Sequence, residues 1–465
     1  MIHIIRQIER RSGHRPGEGR IAMRALLLSA AALLLGLGVL LSPRAKAEDF
    51  DAAQEANKVL DAMDTGDFAA VHARFDTAMS GAITVEQLAQ GWKALPAQIG
   101  ALKERGEARV VERDGRTLVT IPLQYEKAEL TAMFAFDAEH RIGGFAVRPA
   151  TSPAATAPAV PADANYREVE LRVGDETTGL PATLSIPNGD GPFPAVVLVH
   201  GSGPQDRDST VGPNRPFLDI ARGLASRGIA VLRYEKRTKA HPEAFAEGGT
   251  IDLETTDDAV SAVALLRGQT GIDPKRVFVL GHSQGAMMAP RIGARDPNIA
   301  GLILLAAPSR PLLDILIEQN RRMAILNDGK TSDAESIAIQ QLTDSVAAVR
   351  SGREITAAQA PMGIAPAYWR TVDAVDPVAE ARAIAQPILI LQGARDIQVV
   401  DADWQGWRDA FHDNPRVTFK LYEALNHLAI PGEGDGNLQE YQTPGHVDAT
   451  LIADIAVWIA AQPPK

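Results

Sequence analysis

From residue 166 to the C-terminus, short apolar runs rich in β-branched residues alternate with amphipathic runs of helical period. The apolar runs are PAVVLVHG, IAVLRYE, RVFVLG, IAGLILLAAP, PILILQGARD and VTFKLYEA. They lack polar alternation, as strands covered on both faces do. Between them lie FLDIARGLASRG, TTDDAVSAVALLRGQ and QGAMMAPRIGARD, and ATLIADIAVWIAA closes the chain. Glycine ends the first of these helices, and Thr255 or Thr256, ahead of two acids, is a candidate N-cap for the second. Parallel strands need crossover connections, and helices supply them. The pattern therefore predicts a doubly wound α/β sheet.

Within it, Gly281-His282-Ser283-Gln284-Gly285 falls between strand RVFVLG and a helix. In that setting G-x-S-x-G has a physical reading. A serine on a sharp strand-to-helix turn projects its hydroxyl from the sheet. Glycines leave room for the turn, and the helix aims its first N–H groups at an anion. Ser283 is the candidate nucleophile, and His282 reads as a packed neighbour. A hydroxyl needs a base, and the base needs an orienting acid. Downstream, Asp396 follows strand PILILQG and His427 follows strand VTFKLYE. Both stand just past the C-terminal end of a strand, where open α/β sheets place their sites. Asp401, Asp403, His412 and His446 are rivals by position, with His412 in an expected helix and His446 near the start of the last one.

Attack on a carbonyl also needs donors for the oxyanion. The Gln284 backbone N–H, next after the nucleophile, is one candidate. The second is sought in the loop His200-Gly201-Ser202-Gly203-Pro204, whose small residues let backbone approach a substrate. The Ser202 N–H is preferred, with Gly203 as its rival, and His200 is expected to brace the loop.

The chain has 465 residues, more than a single core usually serves. Residues 48–149 carry a different pattern. Val59, Met63, Phe68, Val71 and Phe75, then Leu88, Trp92 and Leu95, recur at helical steps. ARVVER, TLVTIPLQYE, LTAMFAFD and RIGGFAVRP then read as strands, broken at Asp114-Gly115 and Gly143-Gly144. Helices first and antiparallel strands after predict an α+β domain. His72 and His140 lie there without metal-ligand spacing and read as surface histidines. The stretch TSPAATAPAVPADA marks a linker over 150–165, leaving 166–465 as the second domain.

At the other end, Arg20 and Arg24 precede an apolar run, Ala25 to Leu41, and then Ala45-Lys46-Ala47. A charged start, apolar middle and small-x-small end predict a secretory signal over 1–47, cut after Ala47, with an uncleaved anchor as the alternative. The first 47 residues hold eight Lys/Arg against two Asp/Glu, so a chain of −11 becomes −17 once they are removed. Such a surface disfavours nucleic acid and anionic lipid. Cysteine is absent, which excludes disulfides, thiolate zinc sites and cysteine nucleophiles.

LVHGSGPQDRD, LRYEKR, LGHSQG, PILILQGARD and LNHL, in that order, resemble the α/β-hydrolase superfamily, specifically its bacterial serine esterase branch near the serine aminopeptidase-like group. FDTAM, Gly91-Trp92 and FAFDAEHRIGGFAVRP resemble the small cone-shaped domain of the nuclear-transport-factor superfamily, which precedes some bacterial hydrolases. The resemblance implies Ser283 as nucleophile, His427 as base and Asp396 as orienter. It implies a helical lid at about 309–385, where Tyr368 and Trp369 line an acyl or leaving-group pocket or pack as lid core. The implied activity is cleavage of small carboxylic esters through an acyl-enzyme, in the periplasm or outside the cell, with no metal or organic cofactor and no membrane partner after signal cleavage. A peptidase on the same scaffold would need a carboxylate clamp, for which Glu318, Glu335 and Asp344 are the lid candidates. A non-catalytic binding protein of the same fold is the other alternative. One departure follows LRYEKR, where Thr238-Lys239-Ala240-His241 stand in place of the usual glycine and serine.

Overall fold

The computed structural model describes residues 50–113, 115–126, 128–149, 157–245 and 248–465. The expected signal segment 1–47, Asp114 of one expected turn and residues 150–156 of the expected linker lie outside the described residues. The chain divides into two compact units between Thr156 and Ala157. Among the described residues no helix is long and apolar enough to cross a membrane.

The first unit opens with α1 (Ala52–Thr65), α2 (Phe68–His72), α3 (Thr77–Ala82) and α4 (Val85–Ile99). Asp51, Asp67, Asp76 and Thr84 each accept a backbone N–H at the head of one helix, which explains where the helices begin. The strands are β1 (Leu102–Arg105), β2 (Arg109–Arg113), β3 (Arg116–Tyr125), β4 (Glu129–Phe136) and β5 (Ile142–Pro149). They run antiparallel in the order β1-β3-β4-β5, with β2 also on β3. Leu60, Met63, Phe75, Leu88 and Trp92 from the helices bury against Val119, Ile121, Phe134 and Phe136 of the sheet. The α+β expectation holds, and β1 is an addition. Its sequence LKER has no apolar alternation, so only its pairing with β3 makes it a strand.

The second unit is built on an eight-stranded sheet. Its strands are β6 (Tyr166–Val173), β7 (Leu180–Pro187), β8 (Phe193–Val199), β9 (Ala230–Tyr234), β10 (Ile272–His282), β11 (Leu302–Leu305), β12 (Ile388–Gly393) and β13 (Val417–Tyr422). Their order is β6-β7-β9-β8-β10-β11-β12-β13. From β9 to β13 neighbours are parallel, while β7 is antiparallel to both β6 and β9. The apolar runs split by parity. Val196, Leu198, Phe278, Leu280, Ile303 and Leu389 face α5 (Pro216–Ala225) and α14 (Ala449–Ala461). Val197, Val199, Val277, Val279, Leu304 and Ile390 face α7 (Asp257–Arg267) and α8 (Gln284–Arg295). Helices cover both faces, and each fully buried Leu, Ile or Val contributes about 1.5–3 kcal/mol.

Between β11 and β12 the chain forms α9 (Leu312–Asp328), α10 (Asp333–Arg350), α11 (Pro366–Asp373) and α12 (Pro377–Ala383). This is the expected helical insertion. Its entrance is pinned by Asp403, fully buried in α13 (Asp401–Phe411), which accepts the Ser309 N–H and two bonds from Arg310. One expectation is corrected. Thr256 takes the N-cap place ahead of α7 but makes no side-chain capping bond, because it and Thr255 lie in a π-helical turn, Asp252–Thr256, that runs straight into the helix. π turns are rare, and they concentrate at functional sites. The departure after LRYEKR forms a short helix, α6 (Arg237–Ala240), with His241 as its C-cap.

Candidate active site

β8 and β10 lie side by side at the point where strand order reverses, since β9 follows β8 on one side and β10 lies on the other. Loops leaving the C-terminal ends of two such strands diverge and leave a crevice. The 200–204 loop leaves β8 there, and Ser283 follows β10. Ser283 sits at φ 54° and ψ −119°, a conformation that costs an L-residue about 1–3 kcal/mol. Its N–H is tied to the Leu305 carbonyl at 2.9 Å, at the end of β11. The flanking glycines have a steric cause. A Cβ on Gly281 would strike the Gly285 backbone, and one on Gly285 would strike the carbonyls of Val199 and His200. A Cβ on Gly201 would lie 3.2 Å from that of Ser283, so the loop passes directly beside the serine.

Asp396 closes a turn with its N–H on the Gly393 carbonyl at 3.1 Å. Its Oδ1 accepts the N–H groups of Gln398 at 2.7 Å and Val399 at 3.0 Å. Its Oδ2 lies 2.7 Å from Nδ1 of His427, and both side chains are almost wholly buried. A carboxylate only accepts, so Nδ1 carries the proton of this bond, and Nε2 is the ring nitrogen left outside it. The His427 loop is fixed by Asn426, whose Oδ1 accepts the N–H groups of Leu428 and Ile430.

His282, adjacent to Ser283, joins the turn to that loop. Its Nε2 donates to the His427 carbonyl at 2.8 Å, and the two rings lie 4.7 Å apart. Burial pushes its pKa down to about 3, so it is neutral and serves as a packed strut. Among the described residues the Ser283 hydroxyl makes no hydrogen bond, to His427 or to any other group. His200 bonds the Asp206 carbonyl at 2.9 Å across its loop. Its pKa is pushed down to about 3 by burial first and by the nearby Lys236 charge second. Ser202 is exposed at the tip of that loop, with its carbonyl accepting from Gln205 at 3.0 Å, and the buried Gln284 opens α8.

The rivals are otherwise engaged. Asp403 binds Arg310, Asp401 accepts from Gln405, His412 faces Asp413 and His446 faces Asp219. The lid acids are also committed: Glu318 to Arg310 and Arg322, Glu335 to the capping box of α10, and Asp344 to Gln340. Trp369 is lid core, bonded to the Pro361 carbonyl at 2.8 Å. Tyr368 instead donates to Glu254, whose other oxygen lies 2.6 Å from Lys236. Sequence reasoning assigned nothing to Lys236 or Glu254. LRYEKR gave the first a visible setting, whereas the π turn that carries the second has no sequence signature.

A mixed eight-stranded sheet with helices on both faces, a strained serine turn, a buried Asp–His pair and a helical insertion after β11 together define an α/β hydrolase. The model of the family described as "Serine aminopeptidase, S33" matches residues 192–435. Over 381 residues the chain is 34% identical to Esterase EstD of Thermotoga maritima, covering 81% of this chain and 88% of that protein. The chain belongs to this hydrolase family. Residues 56–145 match the domain described as "Protein of unknown function (DUF3887)". Among solved structures, Est1E from Butyrivibrio proteoclasticus is similar at 16% identity and TM-score 0.41, over 63% of this chain and 99% of its own. An esterase of Pyrococcus furiosus is similar at 16% identity and TM-score 0.42, over 66% and 95%.

Proposed function

We propose that the protein is an exported serine esterase that cleaves small carboxylic esters through an acyl-enzyme on Ser283. The observation that carries this reading is the buried Asp396–His427 pair, braced through His282 to the turn that holds Ser283. With Nδ1 protonated against Asp396, the His427 Nε2 is the base that takes the Ser283 proton as the hydroxyl attacks the ester carbonyl. The missing serine–histidine bond is one that forms as substrate seats. The backbone N–H groups of Gln284 and Ser202 hold the oxyanion. His427 then protonates the leaving alcohol, and water activated by the same nitrogen releases the acid. This sequence consumes no cofactor.

Esterase EstD, so named, supports the ester reading. The engagement of Glu318, Glu335 and Asp344 within the lid weighs against a carboxylate clamp for a peptide amine. The Arg20-to-Ala47 pattern supports export to the periplasm or beyond, with cleavage after Ala47.

The deciding experiment sets short p-nitrophenyl esters beside aminoacyl p-nitroanilides, on the parent and on Ser283→Ala. The parent turns over the esters preferentially. Ser283→Ala folds and loses turnover by about 10⁶-fold. Preferred anilide turnover would favour a peptidase, and undiminished turnover in Ser283→Ala would end the reading. N-terminal sequencing of the exported protein checks the cleavage site.

A further inference from the structure

Lys236 and Glu254 form an ion pair at 2.6 Å with each side chain only 3% exposed. Burying two charges is costly and rarely raises net stability, so the position of this pair needs another reason. Four parts of the site converge on it. The Lys236 Nζ donates to the Gly201 carbonyl at 2.6 Å. The second Glu254 oxygen accepts from the Tyr368 hydroxyl of the lid and from the Gln284 side chain at 3.3 Å. Glu254 itself is carried by the π turn.

The peptide joining Gly201 to Ser202 is planar and trans, so its C=O and its N–H point in opposite directions. Holding the Gly201 oxygen fixes where the Ser202 N–H points. The rest of the loop is tied to the same segment, with the Lys236 N–H on the Gln205 carbonyl at 3.1 Å and the Thr238 hydroxyl on the Gly203 carbonyl at 3.4 Å. On the other side, Gln284 carries the second candidate oxyanion N–H on its backbone while its side chain is held by Glu254.

We propose that the buried Lys236–Glu254 pair is a positioning device that aims both oxyanion donors, Ser202 N–H through Gly201 and Gln284 N–H through its side chain, with Tyr368 joining the lid to the same device. Neither residue touches the substrate. The inference rests on the reading of Ser283 as the nucleophile.

The test uses the full chain and the double variant Lys236→Met/Glu254→Gln, which removes both charges together and leaves neither buried alone. Its kcat/KM for a p-nitrophenyl ester falls about 100-fold, the loss typical of one oxyanion donor, mainly in kcat. A trifluoromethyl ketone, which adds to the serine as a tetrahedral oxyanion, loses affinity by the same factor. The matching secondary alcohol, which forms no oxyanion, binds unchanged. A purely structural role would not move ketone and alcohol apart.

Should the double variant not fold, Lys236→Gln/Glu254→Gln, which keeps a polar group at both positions and again leaves neither charge buried alone, decides in its place. Both carboxylate oxygens face donors, and an amide turns one of them into a donor, so kcat/KM and ketone affinity fall together by roughly tenfold. Ketone affinity equal to the parent's, or ketone and alcohol weakened alike, overturns the proposal. A parent enzyme that the ketone does not inhibit, or a Ser283→Ala variant with undiminished turnover, removes the reading of Ser283 instead.

Discussion

Among the described residues, and leaving tyrosine and tryptophan aside, every buried polar or charged side chain lies in the hydrolase unit, from Thr183 to His427, while the buried core of the N-terminal unit is built of aliphatic and aromatic side chains. The N-terminal ion pairs, such as Arg105 with Asp61 and Asp64, stay near the surface. The hydrolase unit buries Arg233 against Asp208 and Glu168, Lys236 against Glu254, and His427 against Asp396. Polar groups are expensive to bury, so a fold keeps them where something other than stability selects them. The contrast accords with the proposed site in the hydrolase unit and sets it against an N-terminal unit whose buried residues pack by apolar contact.

After the loss expected of Ser283→Ala, the largest effect breaks the Asp396–His427 pair. In Asp396→Asn an amide faces the imidazole, which favours a proton on Nε2 instead of Nδ1 and so abolishes the base. Steady-state ester hydrolysis falls about 10⁴-fold with the fold retained; a loss below tenfold would leave Asp396 without the orienting role. Next comes the apolar core of the other unit. Phe134→Ala, in a site 2% exposed, costs the N-terminal unit about 3–5 kcal/mol in denaturant unfolding. A cost near zero there would contradict that apolar packing.

How much of this was legible in the sequence differs between the units for the same physical reason. The parallel strands β8 to β12 announced themselves because burial on both faces demands continuous apolar runs, while the edge strand β13, with no fully buried residue, stood out by the Val, Phe and Tyr of VTFKLY. Glycines 281 and 285 were readable because backbone approaches too closely for any Cβ. Edge strands β1 and β6 were not read, since half-exposed LKER and YREVELRV carry charges where a central strand carries Val or Ile. Strand β7 lies between prolines, and its place comes from antiparallel pairing with β6 and β9. Within the site, Ser283, Asp396 and His427 stood at strand ends that a linear pattern can mark. Lys236 and Glu254 could not be paired by reading, because they are 18 positions apart on segments that meet only through tertiary packing around a π turn.

The comparison sharpens with pH. His200 and His282 are held neutral in the folded hydrolase unit, with pKa values pushed down to about 3, whereas the unfolded chain binds their protons near the ordinary histidine value. Between about pH 6.5 and 3 the unfolded state therefore binds more protons than the native state, so stability rises with pH across that window and is lost as pH falls. Each histidine contributes about 1.4 kcal/mol per pH unit below 6.5. Thermal or urea unfolding of the full chain from pH 7 to 5 follows this slope, and the double variant His200→Gln/His282→Gln flattens it. An equal slope in that variant would place the acid sensitivity elsewhere.

The smallest effect concerns a surface device that both units share. Thr84 and Gln87 close a capping box on α4, as Ser332 and Glu335 do on α10. In each, a hydroxyl accepts the N–H three residues on while the longer side chain returns to the cap N–H. Thr84 is exposed, so Thr84→Ala leaves its orphaned N–H groups to water and costs the N-terminal unit about 1 kcal/mol. Glu335 is only 5% exposed, so Ser332→Ala removes a hydroxyl that donates to a buried carboxylate and accepts the Glu335 N–H, and costs its helix more than Thr84→Ala costs α4. Paired urea titrations of the two variants measure the difference. Equal losses would mean that burial of polar groups carries no more weight in the lid than on the open face of the N-terminal unit, and the contrast between the units would then end at the walls of the active site.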